Sequence, residues 1–369
     1  MPNRLIAISL LIVCTDSLFA ETPTLERIRV ANDGKGFVLE KSGKKFTPWG
    51  FNYDHDAKGR LIEDYWDTDW DAIKGDFTEM KALGANVARI HIQFGKFMTA
   101  ADKPNEKSLA KLGELVKLAE STGLYIDLTG LGCYHKKDVP AWYDAMSEAE
   151  RWTAQATFWT AVAKTCKDSP AIFCYDLMNE PVSPAGKAKG NDWLGPAFGD
   201  KHFVQRISLD QAERKRPEIA KAWIKQLATA IRKVDDTHLI TVGLVDWSLD
   251  RPGLTSGFVP KEIAGDLDFL CVHIYPQKDK IDEAIETLKG FDVGKPVVIE
   301  ETFPLKAPLD QFEEFLKRSE KHAAGVIGFY WGMPPEELRK SKEFAAALLL
   351  AWLEVFQKRG RAIGVIPAR

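Results

Sequence analysis

The amino-acid sequence predicts an α/β fold, a (β/α)8 TIM barrel preceded by a short N-terminal β-hairpin. Two observations carry this prediction. Apolar runs of strand length alternate with amphipathic helical segments, which is typical of a parallel sheet covered by helices. Eight such runs are present, and a barrel of eight strands needs about 250 residues plus insertions, which a chain of 369 residues supplies.

The predicted elements follow one another in a regular order. A hairpin is expected over Ile28–Lys41, where the residues alternate around Asn32, Asp33 and Gly34. The predicted strands are Phe46–Tyr53, Asn86–Ile92, Leu124–Gly130, Ala171–Glu180, His238–Leu244, Phe269–Tyr275, Pro296–Phe303 and Val326–Gly332. The predicted helices are Trp70–Leu83, Ser108–Ser121, Glu148–Cys166, Glu218–Val234, a weak turn near Lys261, Ile281–Leu288, Asp310–His322 and Lys342–Lys358.

A doubly wound open sheet is the competing fold. It would normally carry a Gly-rich nucleotide loop after its first strand, and the sequence has none there. Residues 21–369 are therefore predicted to form a single barrel domain. Val182 to Asp210 is the longest insertion, and it suits a binding loop and a packed surface loop equally well.

The N-terminus is typical of an export signal. Arg4 precedes an apolar segment from Leu5 to Cys14 that is too short to span a bilayer, and cleavage after Ala20 is expected. Residues 1–20 are therefore predicted to be a signal peptide, and the mature protein is expected to be secreted, either extracellular or periplasmic. A lipoprotein anchored through Cys14 and a buried N-terminal helix are the alternatives.

Charge and cysteine content limit the classes of partner. Fifty basic and 53 acidic residues give a net charge of -3 with no long basic run, which argues against nucleic acid as a partner. We expect a monomer without an integral membrane segment after signal cleavage. The four remaining cysteines allow three pairings and match no metal motif, and mostly free, buried thiols are expected: Cys133, Cys166, Cys174 and Cys271.

Polar residues gather at the C-terminal ends of the predicted strands, where barrel enzymes place their chemistry. They are Arg89 and His91, Thr129 with the nearby His135, Asn179 and Glu180, His273 and Tyr275, Glu300 and Glu301, and Trp331. Successive strand residues point to opposite faces, so Asn179 and Glu180 can share a pocket only if the strand bends or bulges there.

The chemistry that these side chains suit is glycoside hydrolysis, in which two carboxyl groups flank the scissile bond. Glu180 and a strand-seven glutamate would supply that pair. The sequence shows no Ser-His-Asp arrangement, phosphate loop or His pair at metal spacing, so neither a metal nor a cofactor is expected.

The chain resembles glycoside hydrolase family 5, the cellulase and mannanase family of the clan A barrel glycosidases. The strongest matches are NEP at 179–181 and KPVVIEE at 295–301. The Arg of VARIHI, the His and Tyr of VHIYP and the Trp of FYWG support them. These features run from strand one to strand eight, and their combination is far more specific than NEP alone.

The resemblance implies a retaining double displacement. Glu180 would be the general acid and then the base, and Glu301 the nucleophile, with carboxyl groups about 5–5.5 Å apart. Neighbours of Glu180 should raise its pKa, and Arg89 should keep the nucleophile ionised. The substrate-binding residues that the resemblance implies are Arg89, Asn179 at the sugar 2-hydroxyl, His273, Tyr275 at the nucleophile, Trp331 beneath the sugar ring, and His135.

The choice between Glu300 and Glu301 as nucleophile is open to question. Strand alternation puts the two side chains on opposite faces. The family places the nucleophile two residues before a Gly, but Thr302 and Phe303 stand in the positions that follow Glu301. Alignment from Lys295 still favours Glu301, which leaves Glu300 as a supporting or surface acid.

The sequence therefore predicts a secreted hydrolase of β-linked polysaccharide or oligosaccharide, with β-glucan and β-mannan as the leading substrates. The alternatives are an exo-acting β-glycosidase on oligosaccharides, a non-catalytic carbohydrate-binding barrel and a metal-dependent barrel hydrolase.

Overall fold

A computed structural model describes residues 24–188, 190, 192–251, 255–329 and 331–368. The predicted signal peptide, residues 1–20, lies outside the described residues.

Eight parallel strands close into a barrel, and each strand pairs with the next along the chain. The strands are β1 Trp49–Tyr53, β2 Val87–Gln93, β3 Tyr125–Gly132, β4 Ile172–Asn179, β5 Leu239–Val245, β6 Leu270–His273, β7 Val297–Glu301 and β8 Gly325–Gly328. Every residue of these strands is buried. The predicted (β/α)8 barrel is confirmed.

Helices surround the barrel. They are α1 Ile62–Tyr65, α2 Trp70–Ala82, α3 Phe94–Phe97, α4 Glu106–Thr122, α5 Ala141–Asp144, α6 Glu148–Cys166, α7 Arg216–Arg232, α8 Pro260–Ile263, α9 Ile281–Lys289, α10 Leu309–Ser319, α11 Pro335–Lys340 and α12 Phe344–Ala362. Within the described part of the chain, no helix combines the length and apolar character that crossing a membrane requires.

Local sequence explains where individual helices begin and end. Ser147 caps α6, accepting a hydrogen bond from the backbone of Glu150, whose side chain in turn accepts from the Ser147 backbone N–H. The observed bounds of α6 equal the predicted ones. Helix α4 ends at Thr122, because the following residue, Gly123, adopts a left-handed conformation (φ 73°) that stops the helix before β3.

The predicted first strand, Phe46–Tyr53, is divided in the structure. Lys45–Phe46 joins Ile28–Val30 and Phe37–Leu39 in a three-stranded antiparallel sheet, and the barrel strand β1 starts only at Trp49. Pro48 lies between the two parts and has no N–H to donate to a ladder. The predicted hairpin is therefore present with one additional strand.

The antiparallel sheet closes the N-terminal end of the barrel. The ring of Phe37 packs edge-on against Phe173 (centroids 5.2 Å apart) and Phe269 (5.1 Å), which lie at the starts of their strands. Phe46 packs in the same way against Tyr125, the first residue of β3. With this end plugged by aromatic side chains, the C-terminal end is the one left for a site.

The four cysteines of the described chain are all buried and unpaired: Cys133, Cys166, Cys174 and Cys271. This agrees with the expectation of free, buried thiols. Burial raises the pKa of the Cys133 thiol to about 12, so it stays protonated and inert at neutral pH.

Gly50 in β1 tests how tightly adjacent barrel strands approach. A Cβ at this position would lie 1.8 Å from the carbonyl oxygen of Val87 in β2, and that backbone cannot move without opening the barrel. Gly50→Ala should therefore lower the free energy of unfolding by about 3 kcal/mol, measured by urea denaturation.

Gly75→Ala is the matched control, because Gly75 is exposed in α2 with no heavy atom within 4 Å of its added Cβ. It should stabilise the protein by about 0.5–1 kcal/mol. Equal effects of the two substitutions would contradict this account of β1–β2 packing.

Candidate active site

Arg89 lies at the centre of a polar cluster at the C-terminal end of the barrel and is fully buried. Its Nη1 donates to Glu301 Oε1 (2.6 Å) and to Asn52 Oδ1 (2.9 Å). Its Nη2 donates to Asp176 Oδ2 (2.7 Å) and to Asn179 Oδ1 (3.0 Å). One guanidinium thus joins side chains from β1, β4 and β7.

The charge of this guanidinium is secure despite its burial. Burial alone would lower the pKa of Arg89, but the carboxylates of Glu300, Asp176 and Glu301 raise it well above its usual value. Arg89 is therefore a permanent cation, and it fixes the positions of the carboxylates around it.

A bulge in β4 turns both Asn179 and Glu180 toward the polar cluster, where Asn179 is buried against Arg89 and the partly exposed Glu180 contacts His273. Thr241 of β5 pairs with Asp176, but Gly243, two residues later, pairs with Asn179, so β4 contains one extra residue. Glu180 follows in a left-handed conformation (φ 45°), with its N–H donating to Gly243 O (3.0 Å). The bend expected from the sequence is confirmed.

A second bulge decides the orientation of the two glutamates of β7. Val272 of β6 pairs with Ile299, while the next residue, His273, pairs with Glu301, so Glu300 is the extra residue. Both glutamate side chains consequently face the barrel interior. The expectation that alternation would place them on opposite faces is wrong, because the period of two fails at a bulge.

Glu301 is surrounded by donors. Besides Arg89, the hydroxyl of Tyr275 donates to Glu301 Oε2 (2.7 Å), and His273 Nδ1 lies 3.5 Å from the same oxygen. Burial and the charge of Glu180 raise the pKa of Glu301, whereas His273, Arg89 and Tyr275 oppose the rise by favouring the anion.

Glu180 faces Glu301 across a short gap. Its side chain is the more exposed of the two, and its Oε1 lies 3.0 Å from His273 Nδ1. A carboxylate oxygen of Glu180, a carboxylate oxygen of Glu301 and a ring nitrogen of His273 all lie within 4.8 Å of one another. The nearest oxygens of the two carboxyl groups are therefore no more than 4.8 Å apart.

His273 connects the exposed and the buried acids. Its Nδ1 contacts Glu180, and its Nε2 lies 3.1 Å from Glu300 Oε2. Burial would lower the pKa of His273, but the charge of Glu301 and the hydrogen bonds with Glu180 and Glu300 raise it to about 10. The ring is thus an imidazolium at neutral pH, and both of its nitrogens donate.

Glu300 lies beneath this imidazolium, fully buried, with Arg89 Nη2 3.3 Å away. Burial would raise the pKa of Glu300, but Arg89 and His273 lower it well below its usual value. Glu300 is therefore ionised. It is not a surface acid and does not line the cavity. Its contacts with Arg89 and His273 help to hold these two side chains in position.

Asp127 supplies a proton to the same buried cluster. Asp127 Oδ2 and Glu300 Oε1 are buried atoms for which no hydrogen-bond donor is present among the described residues. Carboxylate oxygens of Asp127, Asp176 and Glu300 lie within 4.8 Å of one another, and burial with the charge of Glu300 raises the pKa of Asp127 well above its usual value. The raised pKa of Asp127 favours its protonated form, which can share its proton with the nearby Glu300 carboxylate.

Two trios of side chains have the proximity that a metal site needs: Glu180, His273 and Glu301, and Asp127, Asp176 and Glu300. In each trio a positive charge already occupies the space between the acids. His273 is itself cationic in the first, and Arg89 Nη2 bonds Asp176 and approaches Glu300 in the second. A metal ion would have to displace these cations, so the donor sets suit charge pairing better than metal binding.

A cavity of about 520 Å³ opens directly above Glu180 and Glu301. Tyr275 contributes to its floor. Its other walls come from the loop after β4, the loop after β7 and the residues flanking β1 and β8: His55, Pro196, Phe198, Gly199, Asp200, Lys201, Phe203, Val204, Phe303, Leu305 and Phe329.

The long insertion combines both roles expected of it. Phe198 and Phe203 line the cavity, whereas Trp193 is buried, with its Nε1 donating to Asp144 O (3.2 Å) and Arg151 over its ring. Asn179 Nδ2 donates to the carbonyl of Phe203 (3.1 Å), so this loop also fixes the amide beside the two carboxylates.

Trp331 does not lie where the sequence placed it. It is fully buried, its backbone N–H donates to Asn52 O (2.8 Å), and its ring packs on Phe51 at 5.8 Å. A side chain with no exposed surface cannot contact a sugar, so its assignment as a platform is wrong for this structure. The strand β8 ends at Gly328, and the chain then turns Trp331 into the core.

His135 lies beside the cavity rather than in it. Its Nδ1 is 3.8 Å from Asp200 Oδ2, and Asp200 is the residue that reaches the cavity wall. Contact of His135 with a sugar stays a prediction. His91 is a buried barrel histidine whose ring nitrogens contact Tyr134 Oη and Asn52 Oδ1.

Three further residues belong to the polar cluster although they do not lie at strand ends, where the sequence pattern predicts the site. Asn52, Asp127 and Asp176 lie inside apolar strand runs. Their position was itself a signal, because a polar side chain in a fully buried strand must find a partner inside the barrel.

The sequence pattern does not predict Gly243 either, and packing requires it. A Cβ there would lie 3.0 Å from Arg89 Nη2 and from Glu300 Oε2. Its backbone N–H also donates to Asp176 Oδ1 (2.7 Å).

Comparison with known protein families identifies the family of this chain. Residues 39–314, well over half of its length, match the model of the family described as cellulase, glycosyl hydrolase family 5. The chain belongs to this family.

Individual relatives match over shorter or more divergent regions. The chain is 30% identical over 119 residues to a probable mannan endo-1,4-beta-mannosidase C of Aspergillus terreus, covering 30% of this chain and 25% of that protein. It is 26% identical over 129 residues to mannan endo-1,4-beta-mannosidase 1 of Arabidopsis thaliana, covering 32% of this chain and 25% of that protein. The matched region thus spans about a quarter of the length of these relatives.

Solved structures share the fold at low sequence identity. The endo-1,4-beta-mannanase from Rhizomucor miehei has a TM-score of 0.62 at 19% identity, covering 90% of this chain and all of that one. The exo-beta-1,4-mannosidase Op5Man5 from Opitutaceae bacterium strain TAV5 has a TM-score of 0.66 at 17% identity, covering 90% of this chain and 62% of that one.

Glu300→Gln tests the pairing between Glu300 and His273. Removing this negative charge should lower the pKa of His273 from about 10. The charge of His273 stabilises the wild-type fold fully below its ordinary pKa of 6.5, and this contribution is lost as the pH rises through about 10. NMR titration of the histidine ring protons, assigned with His273→Gln, measures the shift directly.

Asp127→Asn is the matched control, because an amide keeps a donor beside Glu300 without adding charge. The titration of His273 in Asp127→Asn should stay close to that of the wild type. A His273 that titrates in Glu300→Gln at the wild-type pH would show that Glu300 is not the source of the shift.

Proposed function

We propose that this chain is a retaining O-glycoside hydrolase that cleaves β-linked glycans. The observation that supports the proposal best is the placement of Glu180 and Glu301, whose carboxylate oxygens approach within 4.8 Å at the floor of one cavity. Two acids at this separation suit attack on an anomeric carbon from one side and proton donation from the other.

In the first step Glu301 attacks the anomeric carbon, and the bond to the leaving oxygen breaks as Glu180 gives that oxygen its proton. Glu301 is prepared for attack because Arg89 and Tyr275 each donate to one of its oxygens and hold it in place. The product is a glycosyl ester of Glu301 and a free alcohol or shortened glycan.

In the second step Glu180 acts as base. It takes a proton from water, whose oxygen attacks the anomeric carbon, and the ester bond to Glu301 breaks. His273 orients Glu180 for this step, because its Nδ1 lies 3.0 Å from Glu180 Oε1.

Asn179 would meet the sugar 2-hydroxyl, where hydrogen bonds strengthen in the transition state. Its carbonyl oxygen is held by Arg89 and its amide group by the carbonyl of Phe203, so its orientation is set before substrate binds. Such preorganisation avoids ordering the group during the reaction.

β-Mannan is the first candidate substrate and β-glucan the second. Three of the relatives are named as mannanases or mannan endo-mannosidases, one of them as probable, and the fourth is named as an exo-beta-1,4-mannosidase, which supports mannose at the cleavage point. Both endo-acting and exo-acting enzymes are among the structures with this fold, and the mode of action of this chain is tested by product-length analysis on a polysaccharide panel.

Export of the protein is also proposed. Its support is the sequence of residues 1–20, in which a basic residue precedes a short apolar segment and a small residue at the cleavage point. A secreted, monomeric hydrolase without cofactor would fit polymeric substrates found outside the cell.

The non-catalytic alternative conflicts with the arrangement of both acids. A sugar-binding barrel has no need for two carboxyl groups with opposed hydrogen-bonding environments.

A metal-dependent barrel hydrolase is the other alternative. Activity that survives a chelator would exclude it.

Glu301→Ala should abolish turnover of an activated aryl β-glycoside, because no group remains to form the ester. Azide should restore turnover through a glycosyl azide product, detected by NMR or mass spectrometry. Glu300→Ala is the matched comparison, since Glu300 is buried below the cavity. Azide rescue of Glu300→Ala but not of Glu301→Ala would show that the nucleophile is misassigned.

Glu180→Gln should lower kcat on a natural glycan about 10²–10⁴-fold, because proton donation to the leaving oxygen is lost. The loss should be much smaller on a dinitrophenyl glycoside, whose leaving group needs no proton. Equal losses on both substrates would argue against Glu180 as the acid.

A further inference from the structure

Exposed apolar side chains concentrate at the cavity above the two carboxylates. Among the described residues, the large hydrophobic side chains that are exposed are Phe198 (74%), Leu305 (54%) and Phe344 (82%). Phe198 and Leu305 line this cavity, whereas Phe344 begins α12 and lies outside it. Two long loops thus each present an apolar side chain to solvent at the mouth of one chamber.

The exposure of Phe198 belongs to an ordered turn. Phe198 and Lys201 exchange two backbone hydrogen bonds (2.8 and 3.2 Å), and Gly199 between them takes a left-handed conformation (φ 62°). Further along, the N–H of Gln205 donates to the carbonyl of Glu180 (3.3 Å). The loop is therefore fixed to the residue that would donate the proton, and it holds Phe198 in place over the cavity.

The deeper walls of the chamber are also largely carbon. They come from Phe203, Val204, Phe303 and Phe329. A sugar ring carries hydroxyl groups on most of its carbons, and each needs a donor or acceptor when it leaves water. This lining suits a group that has few hydroxyls.

Two polar residues of the wall form a hydrogen bond with each other and are therefore less available to a ligand. Lys201 Nζ donates to Asp200 Oδ1 (3.0 Å), and the side chain of Lys201 is nearly buried. His55 also lines the wall, and its Nδ1 lies 2.9 Å from Asp54 Oδ1. The other polar groups, Glu180, Glu301 and Tyr275, belong to the floor where bond cleavage is proposed.

We propose that the chamber formed by Phe198, Phe203, Leu305 and their neighbours is an aglycone site, and that it takes an apolar alkyl or aryl group β-linked to a sugar. The inference rests on the proposed function, because the aglycone is defined as the part that leaves with the proton of Glu180. It narrows the substrate from a β-mannan or β-glucan to a β-mannoside or β-glucoside that carries an apolar aglycone. The loop that supplies Phe198 and Phe203 is hydrogen-bonded to the Glu180 backbone, and we therefore assign the chamber to the leaving-group side.

Stacking on the faces of further sugar rings is the competing use of aromatic walls. It accounts for the phenylalanines but not for Leu305 or Val204, which have no π face. An apolar aglycone uses the aliphatic and aromatic parts of the wall alike, because burial of carbon surface is not directional.

The test is a series of alkyl β-mannosides and β-glucosides from methyl to octyl, each used below its micelle concentration. Simple alkyl alcohols leave with closely similar ease, so differences in kcat/KM report on binding of the chain. We expect kcat/KM to rise about fourfold per added CH2 until the chain emerges from the chamber.

The variant Phe198→Ser/Leu305→Ser should flatten this rise, because it removes the two apolar side chains at the rim. Phe344→Ser is the matched control, since it removes an equally exposed phenylalanine away from the chamber. The control should keep the wild-type slope.

Three results would overturn the proposal: a flat series in the wild type, a slope that the double variant retains, or faster cleavage of oligosaccharides than of octyl glycosides. The third would identify the chamber as a set of sugar subsites.

Calorimetry of octyl and methyl glycosides with Glu180→Gln tests the apolar binding site separately from the proposed hydrolase activity. If octyl glycoside binding depends on Phe198 and Leu305 but the wild type hydrolyses none of the glycosides, the proposed function is wrong and the apolar binding site stands. If octyl glycoside does not bind, the apolar binding site is wrong.

Discussion

A guanidinium removed from water must be matched by negative charge, and the matching of Arg89 organises the interior of this barrel. Burying one unpaired ion costs several kcal/mol, so the surrounding strands must present acceptors at fixed positions. Asn52, Asp176 and Glu301 do so from β1, β4 and β7. The requirement links three strands that are distant in sequence, and it places the carboxylate of Glu301 at the floor of the cavity.

The positions of the reactive groups depend on departures from regular strand geometry. Each of the two acids that face the cavity follows a bulge, in β4 before Glu180 and at Glu300 in β7. The left-handed backbone of Glu180 is uncommon for a residue other than glycine and costs on the order of 1 kcal/mol or more. Neighbouring strands hold it in place, since the Glu180 N–H bonds to Gly243.

Charge distribution separates the roles of chemically similar acids. Asp127 is protonated and Glu300 ionised in the buried layer, and the imidazolium of His273 lies between Glu300 below and Glu180 above. The buried layer beneath the cavity is removed from water, and electrostatic interactions there are stronger than at an open surface. Acids of the same type therefore differ because their neighbours differ.

The sequence by itself determined the order of eight strands and their helices, because the alternation of apolar runs is a local property that burial imposes on each segment. It also determined that acids follow strands four and seven. The tertiary structure decided which way Glu300 faces, that Trp331 is buried, and that Asp127 holds a proton. These depend on a bulge, on how the chain turns after β8 and on charges from other strands, and none of them leaves a periodic signal in the sequence.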